Sequence, residues 1–182
     1  MKMAWWPTAV ITVWVKSTIA GRSLGRGVLE LIAHGWAYLG RLVSWPDEIV
    51  NGVEEFAWWL NSFPARNACI KTLRVMSHGH KLGVGSDISV GQTEEIRSDD
   101  FDDDGNLLST PHAHQTKKLL DALKAALPPG GRLIFSACWQ GTSGLLRHIS
   151  QYIDKGVLVE GWFGRGYPWL RGNMFFRNGV RR

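Results

Sequence analysis

Two short segments of this 182-residue chain place a chemically reactive residue directly after an apolar run. Residues 133–141 read LIFSACWQG, and Cys138 follows the apolar part of that segment. Residues 75–79 read VMSHG, so that His78 and Gly79 follow a second apolar run. A cysteine thiolate is a strong nucleophile, and an imidazole beside it can accept a proton and later return it. These residue types together favour nucleophilic catalysis.

The two reactive residues can meet only if neighbouring elements bring them to the same place. We predict strands over about 70–76 and over 132–138, joined by a helix over 112–127 whose leucines fall on one side. Parallel strands connected through a helix end at the same edge of a sheet, and neighbouring strands lie about 5 Å apart. We therefore expect His78 and Cys138 to lie near each other at that edge.

Strand-like and helix-like segments alternate along the rest of the chain, which predicts an α/β fold with a mostly parallel β-sheet sandwiched by helices. No linker or repeat divides the sequence, so we expect one domain over residues 1–182. Residues 81–110 are expected to be loop-like, with a small hairpin around Gly91 and Gln92, and Ser143 is expected to cap the last helix. Further strands are predicted over residues 8–15, 41–45 and 156–163. Further helices are predicted over residues 27–42 and 144–154. Another helix is predicted to begin at Ser44 or Asp47 and to end just before Pro64.

The paired motifs resemble those of the caspase–gingipain group of cysteine peptidases, which includes metacaspases, legumains and separases. That group shares an apolar strand ending in His-Gly, a helix, and an apolar strand ending in Ala-Cys or Gly-Cys. The resemblance covers about residues 70–163 and implies a caspase-like fold with peptidase activity. It implies that Cys138 is the nucleophile, that His78 is the general base and acid, and that the backbone N–H groups of Gly79 and Cys138 hold the oxyanion without any required cofactor. Ser136 stands where caspases have glutamine, so no subfamily is assigned.

Several alternatives to this interpretation stay open. His80 lies two residues beyond His78 and is an alternative base, whereas His34 has neighbours of helical spacing and is predicted to lie on a helix. Cys69 stands at the start of a predicted strand and is interpreted as a packed thiol. The chain could also be a caspase-like binding or scaffolding protein without turnover, or an unrelated α/β protein in which Cys138 only packs.

An acidic segment precedes the predicted helix over 112–127. Asp100, Asp102 and Asp104 have the spacing that begins a calcium loop, but the twelfth position of that loop is Pro111 instead of glutamate, which excludes a standard EF-hand. Three interpretations of these aspartates remain. They form a solvated acidic loop, which the charge pattern favours, or a calcium site of another kind, or they attract a basic residue of a peptide substrate at the cleavage position.

Composition restricts the partners and the compartment. The formal net charge is +5, yet no nucleic-acid-binding module accompanies it, so we expect a peptide or protein substrate and no nucleic acid. Two widely spaced cysteines favour a reducing, cytoplasmic location; the N-terminal residues 1–22 imitate a secretion signal, although Pro7 and Lys16 interrupt the pattern. No run approaches the ~18 apolar residues of a membrane span.

His112 and His114 are residues of a zinc-binding type, but no third convincing ligand accompanies them.

Overall fold

The computed structural model has an α/β fold built on one large sheet. The parts of the chain that it describes are residues 4–5, 10–15, 48–77, 79–82, 85–90, 94–137, 144–162, 175–177 and 180–181. The strands, in chain order, are β1 (Ala4–Trp5), β2 (Val10–Val15), β3 (Glu48–Val50), β4 (Ala68–Cys69), β5 (Thr72–Met76), β6 (Gly79–Leu82), β7 (Gly85–Ser89), β8 (Glu95–Arg97), β9 (Arg132–Ser136), β10 (Leu158–Trp162), β11 (Phe175–Arg177) and β12 (Val180–Arg181). The helices are α1 (Val53–Ala65), α2 (Pro111–Ala126) and α3 (Leu145–Ile153), and Ser98–Asp100 form a short 3-10 helix. Among these residues no helix is long and apolar enough to cross a membrane.

Within the described residues, seven strands form the main sheet in the order β12-β11-β10-β9-β5-β2-β3. Strands β3, β2, β5, β9 and β10 are parallel, while β11 and β12 add an antiparallel border. The mostly parallel sheet predicted from the sequence is therefore confirmed. Separately, β1 pairs with β4, and β6, β7 and β8 form a small antiparallel sheet.

The three helices of the described residues form one layer against the main sheet. The connections through α1, α2 and α3 all step across the sheet in the same direction, and right-handed crossovers place such helices on one face. In agreement, α2 packs against both α1 and α3. Leu73 and Val75 of β5 are fully buried in the same apolar cluster as the helices, whereas Arg74 between them is only partly buried. The helix predicted over 27–42 and the strand over 41–45 lie outside the described residues, so the second layer of the predicted sandwich is not described.

Most of the other predicted elements are present with shifted ends. The strands predicted over 8–15, 70–76, 132–138 and 156–163 correspond to β2, β5, β9 and β10, and the helices over 112–127 and 144–154 correspond to α2 and α3. The predicted hairpin is confirmed, because β7 and β8 pair antiparallel on either side of residues 91–93. The expected cap is wrong: the N-cap of α3 is Gly144, which has positive φ and makes no side-chain capping bond, and not Ser143.

The predicted start of α1 is wrong. Residues Glu48–Val50 form a strand against β2 instead of the first turn of the helix, because Val50 is fully buried in that pairing. The helix begins at Val53, where the Glu94 carboxylate, from far along the chain, accepts a hydrogen bond from the Val53 N–H. The stop before Pro64 is also wrong, since α1 includes Pro64 in its last turn.

Two contacts explain why α1 continues through its proline. Phe63 makes an edge-to-face contact with Trp59 one turn earlier, with ring centroids 4.9 Å apart, and both side chains are partly buried against the core. The helix then closes with hydrogen bonds from the N–H groups of Arg66 and Asn67 to the carbonyls of Phe63 and Pro64. Tertiary packing therefore outweighs the local cost of proline near the end of the helix.

The interpretation of residues 81–110 as a loop is wrong for much of its length. This part of the chain contains β7, β8 and the end of β6, which form the small antiparallel sheet. Ile88, Val90 and Ile96 are fully buried and anchor that sheet in the core. The alternation between these residues and the polar ones beside them gives the sheet one apolar face.

Candidate active site

The candidate site lies at the carboxyl edge of the main sheet, the edge at which the parallel strands end. Strands β5 and β9 are parallel neighbours, as the sequence predicted, and Met76 pairs with Ser136 at their carboxyl ends. His78 and Cys138 each come two residues after this pair. Both residues lie outside the described part of the chain. The described strands therefore deliver the two segments side by side, and the contact between the two side chains remains a prediction.

The strands are fixed firmly just before these segments begin. Val75 and Phe135 pair in register and are at most 1% exposed. The next described residues are Ser77 and Ala137, and the Ser77 hydroxyl is buried without a hydrogen-bond partner. A buried hydroxyl without a partner is unfavourable by about 1–3 kcal/mol.

Gly79, the expected oxyanion donor, is buried and begins β6. Its Cα pairs with that of Ile88 in β7, and His80, the alternative base, pairs with Asp87. The side chain of His80 is outside the described structure. The small sheet thus fixes the backbone that follows His78, and it sets a carboxylate in register with His80.

Polar side chains are buried on the face of β7 opposite to that of Ile88. Asp87 is 2% exposed and Ser89 is 1% exposed, and the Ser89 hydroxyl has no hydrogen-bond partner. Polar side chains are seldom buried at this depth without a structural or functional reason. The sequence analysis did not single out either residue, because alternation within a short strand of mixed composition gives little signal.

Asp100 forms the most extensive side-chain network at this edge among the described residues, and it is 3% exposed. Its carboxylate accepts hydrogen bonds from the Thr116 hydroxyl at 2.6 Å, from the His112 Nδ1 at 2.6 Å and from the Arg97 N–H at 3.0 Å. The Asp100 carbonyl accepts a further bond from the Leu108 N–H. One buried carboxylate therefore joins the end of β8 to the first turns of α2.

His112 occupies the second position of α2, and its two ring nitrogens have different surroundings. Nδ1 donates to Asp100, whereas Nε2 is buried without a hydrogen-bond partner. Thr110 caps the same helix by accepting from the Ala113 N–H, so the His112 side chain is not needed as a cap. His114 lies two residues further along the same turn and is exposed.

The other two aspartates of the candidate calcium loop do not join Asp100. Asp102 accepts hydrogen bonds from the backbone and side chain of Asn106, which lower its pKa, and Asp104 is exposed. The described residues contain no group of three or more histidine, cysteine or acidic side chains able to hold a metal ion. Within that part of the chain, Asp100 has a structural role and the loop closes on itself.

The acidic loop packs against α3 through Phe101 and Gly105. The Phe101 ring stacks on the His148 ring, with centroids 5.2 Å apart and an interplanar angle of 15°. Gly105 has a φ of +86°, and a Cβ at that position would lie 2.8 Å from the His148 Nδ1. Burial lowers the pKa of His148, with a further contribution from nearby Arg147. Sequence reasoning missed His148, whose only signal was its place on a helix after the Cys138 segment.

Cys69 lies at the opposite, amino edge of the sheet. It is a free thiol, 6% exposed, and it pairs with Trp5 through β4 and β1. The interpretation of Cys69 as a packed residue agrees with this position.

Comparison with known proteins identifies no relative. No protein-family model matches the chain, and neither the curated proteins nor the solved structures contain a significant match.

Proposed function

We propose that this protein is a cysteine peptidase with a caspase-like fold, in which Cys138 is the nucleophile and His78 the general base and acid. The observation that carries the proposal is the register of β5 and β9. Met76 and Ser136 pair at the ends of adjacent parallel strands, and the two motif residues follow at the same distance along the chain. Open α/β sheets bind their ligands at this edge.

The chemistry proceeds through a series of proton transfers in which His78 alternates between base and acid. His78 takes the proton of the Cys138 thiol, and the thiolate adds to the peptide carbonyl to give a tetrahedral oxyanion. The backbone N–H groups of Gly79 and Cys138 donate hydrogen bonds to that oxyanion. His78 then gives its proton to the departing amine, which leaves a thioester, and water that His78 deprotonates hydrolyses the thioester. A reactive thiol suits a reducing compartment, so we place the protein in the cytoplasm.

We further propose that the substrate carries a basic residue at the cleavage position. The loop after Asp100 leads into the first turn of α2, which lies at the carboxyl edge because α2 returns the chain to the start of β9. Asp103 and Asp104 are exposed in this loop. Exposed carboxylates at that edge attract lysine or arginine by Coulomb complementarity.

The proposal is tested with a pool of fluorogenic peptides that varies the residue at the cleavage position. We expect the protein to cleave peptides with arginine or lysine there. His78→Ala should lower turnover by about 100-fold or more, since a general base contributes a factor of that order. The matched variant His80→Ala should change turnover by less than about fivefold, because the role of base belongs to His78.

Three other results would redirect the proposal. A larger loss in His80→Ala than in His78→Ala would transfer the role of base to His80. Cleavage that ignores the charge of the peptide would remove the basic specificity. Rapid alkylation of Cys138 without cleavage of any peptide in the pool would favour a binding or scaffolding protein instead.

A further inference from the structure

A continuous set of contacts joins α2 to Gly79, the proposed oxyanion donor. It begins at Asp100, whose buried carboxylate accepts bonds from Thr116 and His112 of α2 and from the backbone N–H of Arg97 at the end of β8. Removal of a partner from such a buried charged group leaves an uncompensated charge or donor. This network therefore fixes β8 on the helix.

The small sheet carries this constraint to the site. Ile96 of β8 pairs with Ile88 of β7, and Ile88 pairs in turn with Gly79 of β6. Gly79, Ile88 and Ile96 therefore form a row across the three strands. Because both isoleucines are fully buried, this row cannot shift without disturbing the core. Gly79 is the last member of this row.

Gly79 begins its strand, has no side chain to pack, and pairs with Ile88 of β7. The direction of the Gly79 N–H therefore depends on where β7 and β8 lie. A donor acts on an oxyanion only when it stands 2.7–3.1 Å from the position that the oxyanion will occupy.

We infer that Asp100 and Thr116 are positioning residues that hold the Gly79 N–H in place for the oxyanion, acting through β8 and β7. This inference rests on the proposed peptidase function. Neither residue touches substrate. Their effect should appear in the chemical step and not in the binding of substrate or in the reactivity of the thiol.

The test compares Thr116→Val with Thr116→Ser, using the fluorogenic peptide that the wild-type protein cleaves fastest. Valine keeps the shape of threonine but lacks the hydroxyl, whereas serine keeps the hydroxyl. Thr116→Val should lower kcat by about tenfold or more, since a misplacement on the order of 1 Å can cost up to a factor of about 100. KM should stay within about twofold, and Thr116→Ser should retain wild-type kcat within about twofold.

Two further measurements separate positioning from a general loss of structure. A peptide aldehyde of the same sequence forms a hemithioacetal whose oxygen takes the place of the oxyanion, so its inhibition constant should rise in parallel with the loss of kcat. Iodoacetamide needs no oxyanion donor, so its rate of reaction with Cys138 should stay within about twofold of wild type. Gln115→Ala, an exposed neighbour on α2, is the matched control and should change none of these values. If Thr116→Val does not fold, Asp100→Asn tests the same network and should show the same separation of kcat from KM.

An unchanged kcat in folded Thr116→Val would overturn the inference alone. A parallel fall in kcat, substrate affinity and alkylation rate would also overturn it, because it would indicate a general structural role. Absence of any cleavage by the wild-type protein, with Cys138 no more reactive than Cys69, would overturn the proposed function and the inference together.

Discussion

The amino and carboxyl edges of the main sheet, where the parallel strands begin and end, are held together by different kinds of contact. At the amino edge, main-chain hydrogen bonds join the turns to one another, as from the Ile70 N–H to the Ala126 carbonyl and from the Arg132 N–H to the Lys71 carbonyl, both at 2.9 Å. Cys69 packs there beside Pro64 and Leu127. At the carboxyl edge, the chain instead buries carboxylates and hydroxyls, among them Asp100 and Ser77.

On the proposed function, this difference separates an edge with a structural role from the edge that carries the site. Main-chain bonds and apolar contacts dominate at the amino edge, where the buried Glu160 carboxylate is paired with Arg132. At the carboxyl edge, by contrast, the Ser77 hydroxyl is buried without a partner and carries a desolvation penalty. Local violations of the stability rules are expected at functional sites.

The largest expected effect distinguishes the two cysteines. Cys138→Ala should lower peptide turnover by about 1000-fold or more, because loss of a covalent nucleophile removes the pathway through the thioester. Cys69→Ala should leave turnover within about twofold, since Cys69 lies at the amino edge. Steady-state turnover of both purified variants measures this, and equal losses would remove the functional distinction between the edges.

The next effect concerns stability at the carboxyl edge. Asp100→Ala should lower the free energy of unfolding by about 3 kcal/mol, because one buried and two part-buried donors lose their shared acceptor. Asp103→Ala, three residues later and exposed, should change it by less than about 0.5 kcal/mol. Urea unfolding of the two variants provides the comparison. If the loss in Asp100→Ala were as small as that expected for Asp103→Ala, the buried network would not stabilise the fold.

Two glycines with positive φ, one at each edge, give a smaller and matched contrast. Gly105→Ala should lower the free energy of unfolding by about 2–3 kcal/mol, because backbone strain adds to a clash of the new Cβ with His148 and Gln151. Gly130→Ala should lower it by only about 1 kcal/mol, since a Cβ there meets nothing within 4 Å and only the strain remains. Urea unfolding again measures both, and an equal cost would contradict the close packing of the acidic loop on α3.

The smallest effect is a pH dependence that arises from His148. Its lowered pKa means that the unfolded chain binds more protons than the native protein between the native pKa and about 6.5. The free energy of unfolding is therefore highest above about pH 6.5, where the His148 ring is neutral in both states. It falls as the pH drops below that value. His148→Phe should flatten the stability curve in this window while keeping a ring against Phe101. Chemical unfolding at pH 5, 6 and 7 tests this, and an unchanged slope would show that His148 does not titrate as described.

The sequence was most informative where local pattern and topology agree. Strands β5 and β9 are apolar runs rich in β-branched and aromatic residues, and α2 has leucines on one face, so their adjacency could be predicted. The same motifs predicted a site at the carboxyl edge of the sheet. The antiparallel strands after Gly79 were harder to recognise, because they are short and contain polar residues on one face.

What the sequence could not reveal depends on tertiary contacts. Asp100 bonds to His112 and Thr116, 12 and 16 positions ahead, and these bonds exist only once α2 has docked beside β8. The spacing of the acidic residues instead left a solvated loop, a calcium site and a substrate-binding loop as alternatives. The strand Glu48–Val50 is equally dependent on context, because three residues are fixed by a single pairing with β2. Local propensity is a weak guide where packing decides the structure.

The most direct test of a catalytic carboxyl edge is the rate at which iodoacetamide alkylates each cysteine of the native protein between pH 5 and 9, with the modified residue located by mass spectrometry. We expect Cys138 to react at least about 100-fold faster than Cys69 at pH 7 and to remain reactive below that pH, because a neighbouring imidazolium stabilises its thiolate. His78→Ala should abolish this preference. Equal, slow labelling of both residues, rising only towards the ordinary thiol pKa of about 8.5, would contradict the proposed dyad.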